Sequence, residues 1–266
     1  MKLVSRLIAE REQLSQTLDE ARRAAEEQIF IKNHAGAIER SAAGQEATRL
    51  KHAVRAIEDQ LKQVDAATSL LGPVVPSINQ RVKNVHYHYD NWLEVKERGI
   101  YAAKLSSRAG GDGYINATKY NAEVAAFLQN VHALCDSLPY ILNLYFRIFD
   151  LDSRSIGWSE RCIDLLADAA RSRGEMLLAD QLIVFAAHPK FLKLQDIVNC
   201  SKHKHLVSIF YKGDSTFFAE LSDGWQASDT DVHEFMLAVD DQLLPLFLKM
   251  IELASHQPSD SEAAHQ

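Results

Sequence analysis

Apolar positions recur at helical spacing along most of the chain. In residues 3–30, Leu3, Leu7, Leu14, Leu18, Ala21, Ala25 and Ile29 fall close to a seven-residue repeat. Glu, Arg, Gln and Lys, all good helix formers, fill the positions between, so one long helix is expected. A second stripe, Leu50, Val54, Ile57, Leu61 and Val64, runs through residues 37–64. With a weak break at Gly36, the two stripes predict an antiparallel helical hairpin of coiled-coil character. Arg22, Arg23, Arg49 and Lys51 fall on its solvated faces. A hairpin of this kind offers a surface for self-association.

The pattern stops at "LGPVVPSINQ", residues 71–80, where two prolines and a glycine are expected to end the helix. That segment divides a hairpin domain (1–70) from a larger body (79–254), followed by a flexible tail (255–266). Residues 79–104 read as helix. "SSRAGGDGYINATKY" (106–120) reads as loop at its centre, with Asn116 or Thr118 capping the next helix. Residues 118–149 carry burial spacing at Val124, Leu128, Val131, Leu134, Cys135, Leu138, Ile141, Leu142 and Tyr145, and Pro139 predicts a kink or a junction there. Ser159 is placed to cap a helix from 160 to 187, and Pro189 to open one over 190–206 whose buried side takes Phe191 or Leu192, Leu194, Val198 and Cys200.

The period then changes. "LVSIFYKGDSTFFAEL" has two short β-branched or aromatic runs about Lys212-Gly213-Asp214, which predicts a β-hairpin near 206–221. "SDGWQASDTD" reads as loop. Asp229 or Thr230 is placed to start a last helix over 231–254, interrupted at Pro245. The fold class is therefore mainly α: an N-terminal antiparallel helical hairpin, then a helical bundle with a small β-hairpin.

Composition agrees with this picture. Hydrophobic residues are 47% and charged residues 24% of the 266, globular values, and 11 Gly with 6 Pro are few for a protein of loops. No run of 18 apolar residues occurs, so no membrane span is expected. The start, "MKLVSRLIAEREQL", lacks the apolar core of a signal peptide. Cys135, Cys162 and Cys200 are far apart and odd in number, which fits a reducing, cytoplasmic compartment. The net charge of −7 argues against a general nucleic-acid binder. Its distribution is more informative. Residues 189–212 hold five lysines and one aspartate, whereas residues 213–266 hold eleven acidic groups and Lys249.

Three clusters carry candidate chemistry. In "IVNCSKHKHLV" (197–207), Asn199 and His203 lie four apart on a helix, with Lys202 and Lys204 beside His203. They are placed to hold and polarise a phosphate or hydroxyl. The plainer reading is a helix C-terminus whose dipole favours Lys and His. His203 and His205 diverge on a helix and a zinc site needs at least three convergent ligands, so no metal is expected. In "RVKNVHYHYDNW" (81–92), His86 and Asp90 are four apart and positioned to pair. If extended, His86, His88 and Asp90 would share a face, and Tyr87, Tyr89 and Trp92 give stacking surface for a strand or a ring-shaped ligand. In "HALCDSLPY", His132 and Asp136 are again four apart, an internal hydrogen bond or a support to a site. Nothing in the spacing makes Cys135 a nucleophile. No Gly-rich phosphate loop occurs, and no cofactor is expected.

"NVHALCDSLPYI", then "HPKFLKLQDIVNCSKHKHLV", then the hairpin segment resemble an uncharacterised bacterial family of all-helical, HEPN-like proteins over about residues 118–221. That resemblance implies a helical bundle, often dimeric, and in many members a metal-independent ribonuclease. The superfamily motif is Arg, four to six residues, then His, the Arg handling phosphate and the His acting in acid–base roles. "VNCSKHKHLV" carries no arginine, and Asn199, Lys202 and His203 would stand in its place. Arg81 with His86 or His88 does match the motif's spacing, with Val82 where active members carry a polar residue.

The first reading of the whole is a helical interaction or scaffold protein. The alternatives are a HEPN-like ribonuclease or RNA-binding relative with catalytic residues His203, Asn199 and Lys202, supported by His132, Asp136, Arg81, His86, His88 and Lys204, and a small-ligand-binding module lined by Tyr87, His88 and Trp92. The residues leave open whether the chain is an enzyme.

Overall fold

A computed structural model describes residues 2–34, 37–106, 112–150, 153–203, 207, 209–212, 215–221 and 225–255. The chain is mainly α-helical and divides into two compact units, Met1–Val75 and Pro76–Gln266. No helix among the described residues is long and apolar enough to cross a membrane.

In the first unit, helix α1 (Lys2–His34) packs on the start of α2 (Ala37–Ser106). Arg11 meets Asp65 at 2.6 Å and Arg22 meets Glu58 at 2.7 Å. As one number rises the other falls, so the two helices run antiparallel. Leu7, Leu18 and Ala25 of the first stripe and Val64 of the second are buried, whereas Leu50, Val54, Ile57 and Leu61 are half-buried; Ala43, Ala47 and Leu71, outside the expected stripe, complete the buried side of α2. Arg22, Arg23, Arg49 and Lys51 are exposed. These surface pairs contribute little individually. The apolar seam does more.

Residues 71–80 correct the expected helix stop, because they are helical and belong to α2. Pro73 and Pro76 each remove a donor, leaving the carbonyls of Ser69 and Gly72 without their usual partners. Ser69, Gly72, Pro73 and Pro76 are all exposed, so water can satisfy those carbonyls and the helix passes through.

The second unit is built on α3 (Asp112–Phe146), whose Tyr120, Val124, Phe127, Leu128, Val131, Leu134, Leu138 and Leu142 are buried. The helix starts at Asp112, so Asn116 and Thr118 lie inside it and cap nothing. It also runs through Pro139 without a break. The carbonyl four residues before a helical proline loses its donor, and here that carbonyl belongs to Cys135. Trp158 Nε1 donates to it at 3.1 Å, replacing the missing bond from outside the helix.

Helices α4 (Glu160–Ser172), α5 (Met176–Ala186) and α6 (Pro189–His203) come next in the chain. The single helix expected over 160–187 is thus two. Gly174, at φ +76°, ends α4, with Gly174 N donating to Arg171 O and Glu175 N to Ala170 O, both at 2.9 Å. This is a Schellman cap, which needs a residue free to adopt positive φ. Small Ala167, Ala170 and Ala179, all fully buried, let α4 and α5 approach closely. Ser159 stands at the N-cap of α4 but makes no side-chain capping bond. Phe191, Leu194 and Val198 of α6 are buried, Cys200 is half-buried and Leu192 is exposed.

Strands β1 (Ile209–Lys212), β2 (Ser215–Leu221) and β3 (Trp225–Asp231) form an antiparallel sheet in the order β1-β2-β3. Phe210 pairs with Phe217, and Ala219 with Ala227. β3 corrects the loop expected over this stretch. It is polar and lacks a two-residue apolar period, and its pairing comes from the free edge of β2. Two hydroxyls tie the sheet to α3: Tyr120 Oη and Thr216 Oγ1 are 3.0 Å apart, and Tyr211 Oη donates to Asn121 Oδ1 at 2.9 Å. Burial pushes both phenols up from their ordinary value, so they stay protonated for these bonds.

The chain closes with α7 (Val232–Ala238), a π-helical turn at Val239–Leu243, and α8 (Leu244–Ser255). The cap is Asp231, not Asp229 or Thr230, for its Oδ1 accepts Glu234 N at 2.9 Å. Leu244 N reaches back five residues to Val239 O, so the wider turn sits immediately before Pro245, which cannot make the ordinary bond. The tail expected over 255–266 lies outside the described residues beyond Ser255, as do Gly36 and the 213–214 turn.

Candidate functional site

An open groove of about 540 Å³ lies on the second unit, lined by Arg81 of α2, by Ala133, Asp136, Ser137 and Tyr140 of α3, and by Ser153, Arg154 and Ile156 of the loop after α3. Helical spacing explains the α3 side: positions 133, 136, 137 and 140 form one face. The loop side is held at both ends. At its start the chain leaves α3 through Arg147 at φ +59°, and Arg147 N donates to Asn143 O at 2.7 Å. Fully buried Asn143 then grips the Phe149 backbone twice. Its Nδ2 donates to Phe149 O at 3.1 Å, and its Oδ1 accepts Phe149 N at 2.8 Å. At its end, Trp158 is fixed by the Cys135 carbonyl and by rings of Phe185 and Phe191 at 5.1 and 4.8 Å. Ser153 and Arg154 lie between these anchors.

The groove's polar groups are mostly donors. Two guanidiniums and the Tyr140 and Ser153 hydroxyls are joined by Ser137, whose own proton is directed to the Ala133 and Leu134 carbonyls at 2.9 Å. Ser137 is thus placed as an acceptor and is no activated nucleophile. The carboxylate of Asp136 is held by buried His132, with Nδ1 to Oδ2 at 2.9 Å. Arg81, Asp136 and His132 therefore come together, as a lining pair with a support behind it.

The other candidates do not join them. Asn199 is exposed on α6, and His203 is the last residue of that helix. The side chains of Lys202 and His203, and all of Lys204 and His205, lie outside the described residues. The 81–92 segment is helical, which removes the extended arrangement of His86, His88 and Asp90. His88 Nδ1 instead meets Glu123 Oε2 at 2.7 Å, and Asn91 Nδ2 donates to the other Glu123 oxygen at 3.4 Å. Glu123 carried no sequence signal, since its partners are 35 and 32 residues away. Trp92 is fully buried with its ring 5.5 Å from that of His233, so it lines no ligand surface, and only Tyr87 of the expected stacking set stands exposed. Cys135 is buried, and burial pushes its thiol well above the ordinary value, with Asp136 adding to the effect. Among the described residues no group of three or more His, Cys, Asp or Glu is arranged to hold a metal ion.

Beside the π turn, half-buried Asp240 has its carboxyl raised, first by burial, then by Asp241 and Asp90, while His86 pulls the other way. Ionising it costs more folded than unfolded, so stability falls as pH rises through the carboxylate range toward the raised value. Asp240→Asn should therefore stabilise the protein at neutral pH. The gain should vanish in acid below the ordinary aspartate value. Urea midpoints at the two pH values check this, and an equal gain at both would refute it.

No protein-family model, no curated protein and no solved structure matches the chain. The likeness to HEPN-type bundles is thus carried by the residues quoted for it alone.

Proposed function

We propose that the protein is a binding module whose groove takes a phosphate-bearing ligand, an RNA strand being the class that the HEPN-like resemblance suggests. The observation that carries this reading is the placement of Arg81 and Arg154, from distant parts of the chain, on one groove with the hydroxyls of Tyr140 and Ser153. Guanidiniums and hydroxyls are the donors that phosphate oxygens take. An open groove also admits a strand, where a closed cavity would not. Binding is favoured over catalysis because His132 sits behind Asp136 and Ser137 has committed its proton. The three free cysteines support a reducing compartment such as the cytoplasm.

Fluorescence anisotropy with a labelled single-stranded RNA tests the reading. Arg81→Gln with Arg154→Gln should weaken binding about tenfold or more and lower the salt slope by about 1 for each arginine. The same RNA incubated in EDTA with wild type should stay intact, and chelator-resistant cleavage abolished by His203→Ala would replace this reading with the ribonuclease one. Equal binding by wild type and the double variant would refute the groove.

A second reading, a helical interaction protein, is favoured by a different observation: α5 leaves large apolar side chains uncovered, with Leu177 69% and Val184 53% exposed. Single exposed apolar residues are ordinary, but a stripe of them on one helix face marks an interaction surface.

A further inference from the structure

Helix α5 is apolar almost all round. Its inner face buries Leu178, Ala179, Leu182 and Phe185. Its outer face presents Met176, Leu177, Ile183 and Val184, all exposed. These four sit three and four residues on either side of Asp180, so they and Asp180 form one continuous stripe. A helix hydrophobic on both faces is ordinarily covered on both.

The charge on the stripe selects what covers it. Asp180 is exposed at its centre, and exposed Asp168 of α4 stands at its side. A single guanidinium serves both: Arg171 meets Asp168 at 3.0 Å and Asp180 at 3.7 Å. The stripe therefore keeps a net negative charge. Its pattern is also symmetric about Asp180. Any two-fold pairing with a second copy that matches apolar to apolar side chains along the whole stripe brings Asp180 against its own image, and like charges so placed repel. The acidic edge disfavours an anionic membrane surface for the same reason.

We propose that the outer face of α5 docks an amphipathic helix of a protein partner, with apolar residues at three- and four-residue spacing and a Lys or Arg placed to meet Asp180. The apolar side chains supply the area and Asp180 sets register and choice of partner. This surface is independent of the Arg81–Arg154 groove.

The test uses the full chain and two labelled synthetic helical peptides with the same leucine stripe, one flanked by lysines and the other by glutamates. The lysine peptide should bind the wild type and the glutamate peptide should not. Leu177→Ser with Val184→Ser, both at exposed positions, should weaken lysine-peptide binding by about tenfold or more, with the circular dichroism unchanged. Asp180→Lys should reverse the preference between the peptides. Binding unaffected by the serine pair would overturn the proposal. So would light scattering that shows a concentration-dependent dimer of the wild type and a monomer of the serine variant, which would assign the face to a second copy.

Discussion

Asn143→Leu should destabilise the protein by about 2–5 kcal/mol. The substitution keeps the branched shape of a fully buried side chain but is larger, so it crowds the site, and it strips the Phe149 N–H and C=O of their partners. Phe149 is half-buried, so each of its backbone groups left unpaired costs toward the lower end of about 1–3 kcal/mol. Asn143→Asp separates the two bonds. It keeps an acceptor for Phe149 N but turns a second oxygen toward Phe149 O, so it should also destabilise. The loop leaves α3 through Arg147 at φ +59°, a conformation disfavoured for a side-chain-bearing residue. The Asn143 clamp is what holds it there. Releasing the clamp should let Arg154 leave the groove, so RNA affinity should fall as it does for Arg154→Gln alone. Urea unfolding and anisotropy on the same variant check both effects. An Asn143→Leu protein as stable as wild type would refute the clamp.

Trp158→Ala should cost about 2–4 kcal/mol, somewhat below the range for truncating a fully buried aromatic, because Trp158 is half-buried and the change removes packing against Phe185 and Phe191 as well as the bond to Cys135 O. Trp158→Phe isolates the bond. It keeps a ring among the others and leaves the Cys135 carbonyl unpaired, at about 1–3 kcal/mol. The physical claim is that Trp158 replaces the donor that Pro139 lacks, and a double-mutant cycle tests it directly. In a Pro139→Ala background the new amide at position 139 can reach Cys135 O, so Trp158→Phe should cost less there, by about 1 kcal/mol or more. An equal cost in both backgrounds would show that the indole bond and the proline are unrelated.

Both predictions concern residues that the sequence pattern did not single out, and the reason is physical. Periodicity reports which face of an element is apolar. It located α1, the first part of α2 and the body of α3 because their buried sides repeat every three or four residues. It failed where a bond from elsewhere in the chain changes a local rule. Pro139 does not interrupt α3 because an indole 19 residues later supplies a donor. Residues 71–80 stay helical because their freed carbonyls face water. β3 exists because β2 offers an edge to a segment with little β-propensity of its own. Gly174 did carry the signal that divides 160–187, since a glycine after a helical run is a stop.

The candidate site divides in the same way. Arg81, His132 and Asp136 were legible as residue types at suggestive spacings, and the last two were legible as a pair because helical geometry joins positions four apart. Nothing local connects Arg81 to Asp136, 55 positions away, or either to Arg154. His86 and His88 show the converse. Their spacing to Arg81 fits a motif, yet His88 is engaged with Glu123 and His86 lies toward Asp240.

The sequence by itself determined that the chain is mainly helical, where its apolar stripes run, and which residues could carry charge or protons. These properties depend on neighbours within about one helical turn. Only the tertiary structure decided which carbonyls and carboxylates find partners, that two arginines share a groove, and that α5 is left with an uncovered apolar face. Those outcomes depend on contacts between residues far apart in the chain, and no local period encodes them.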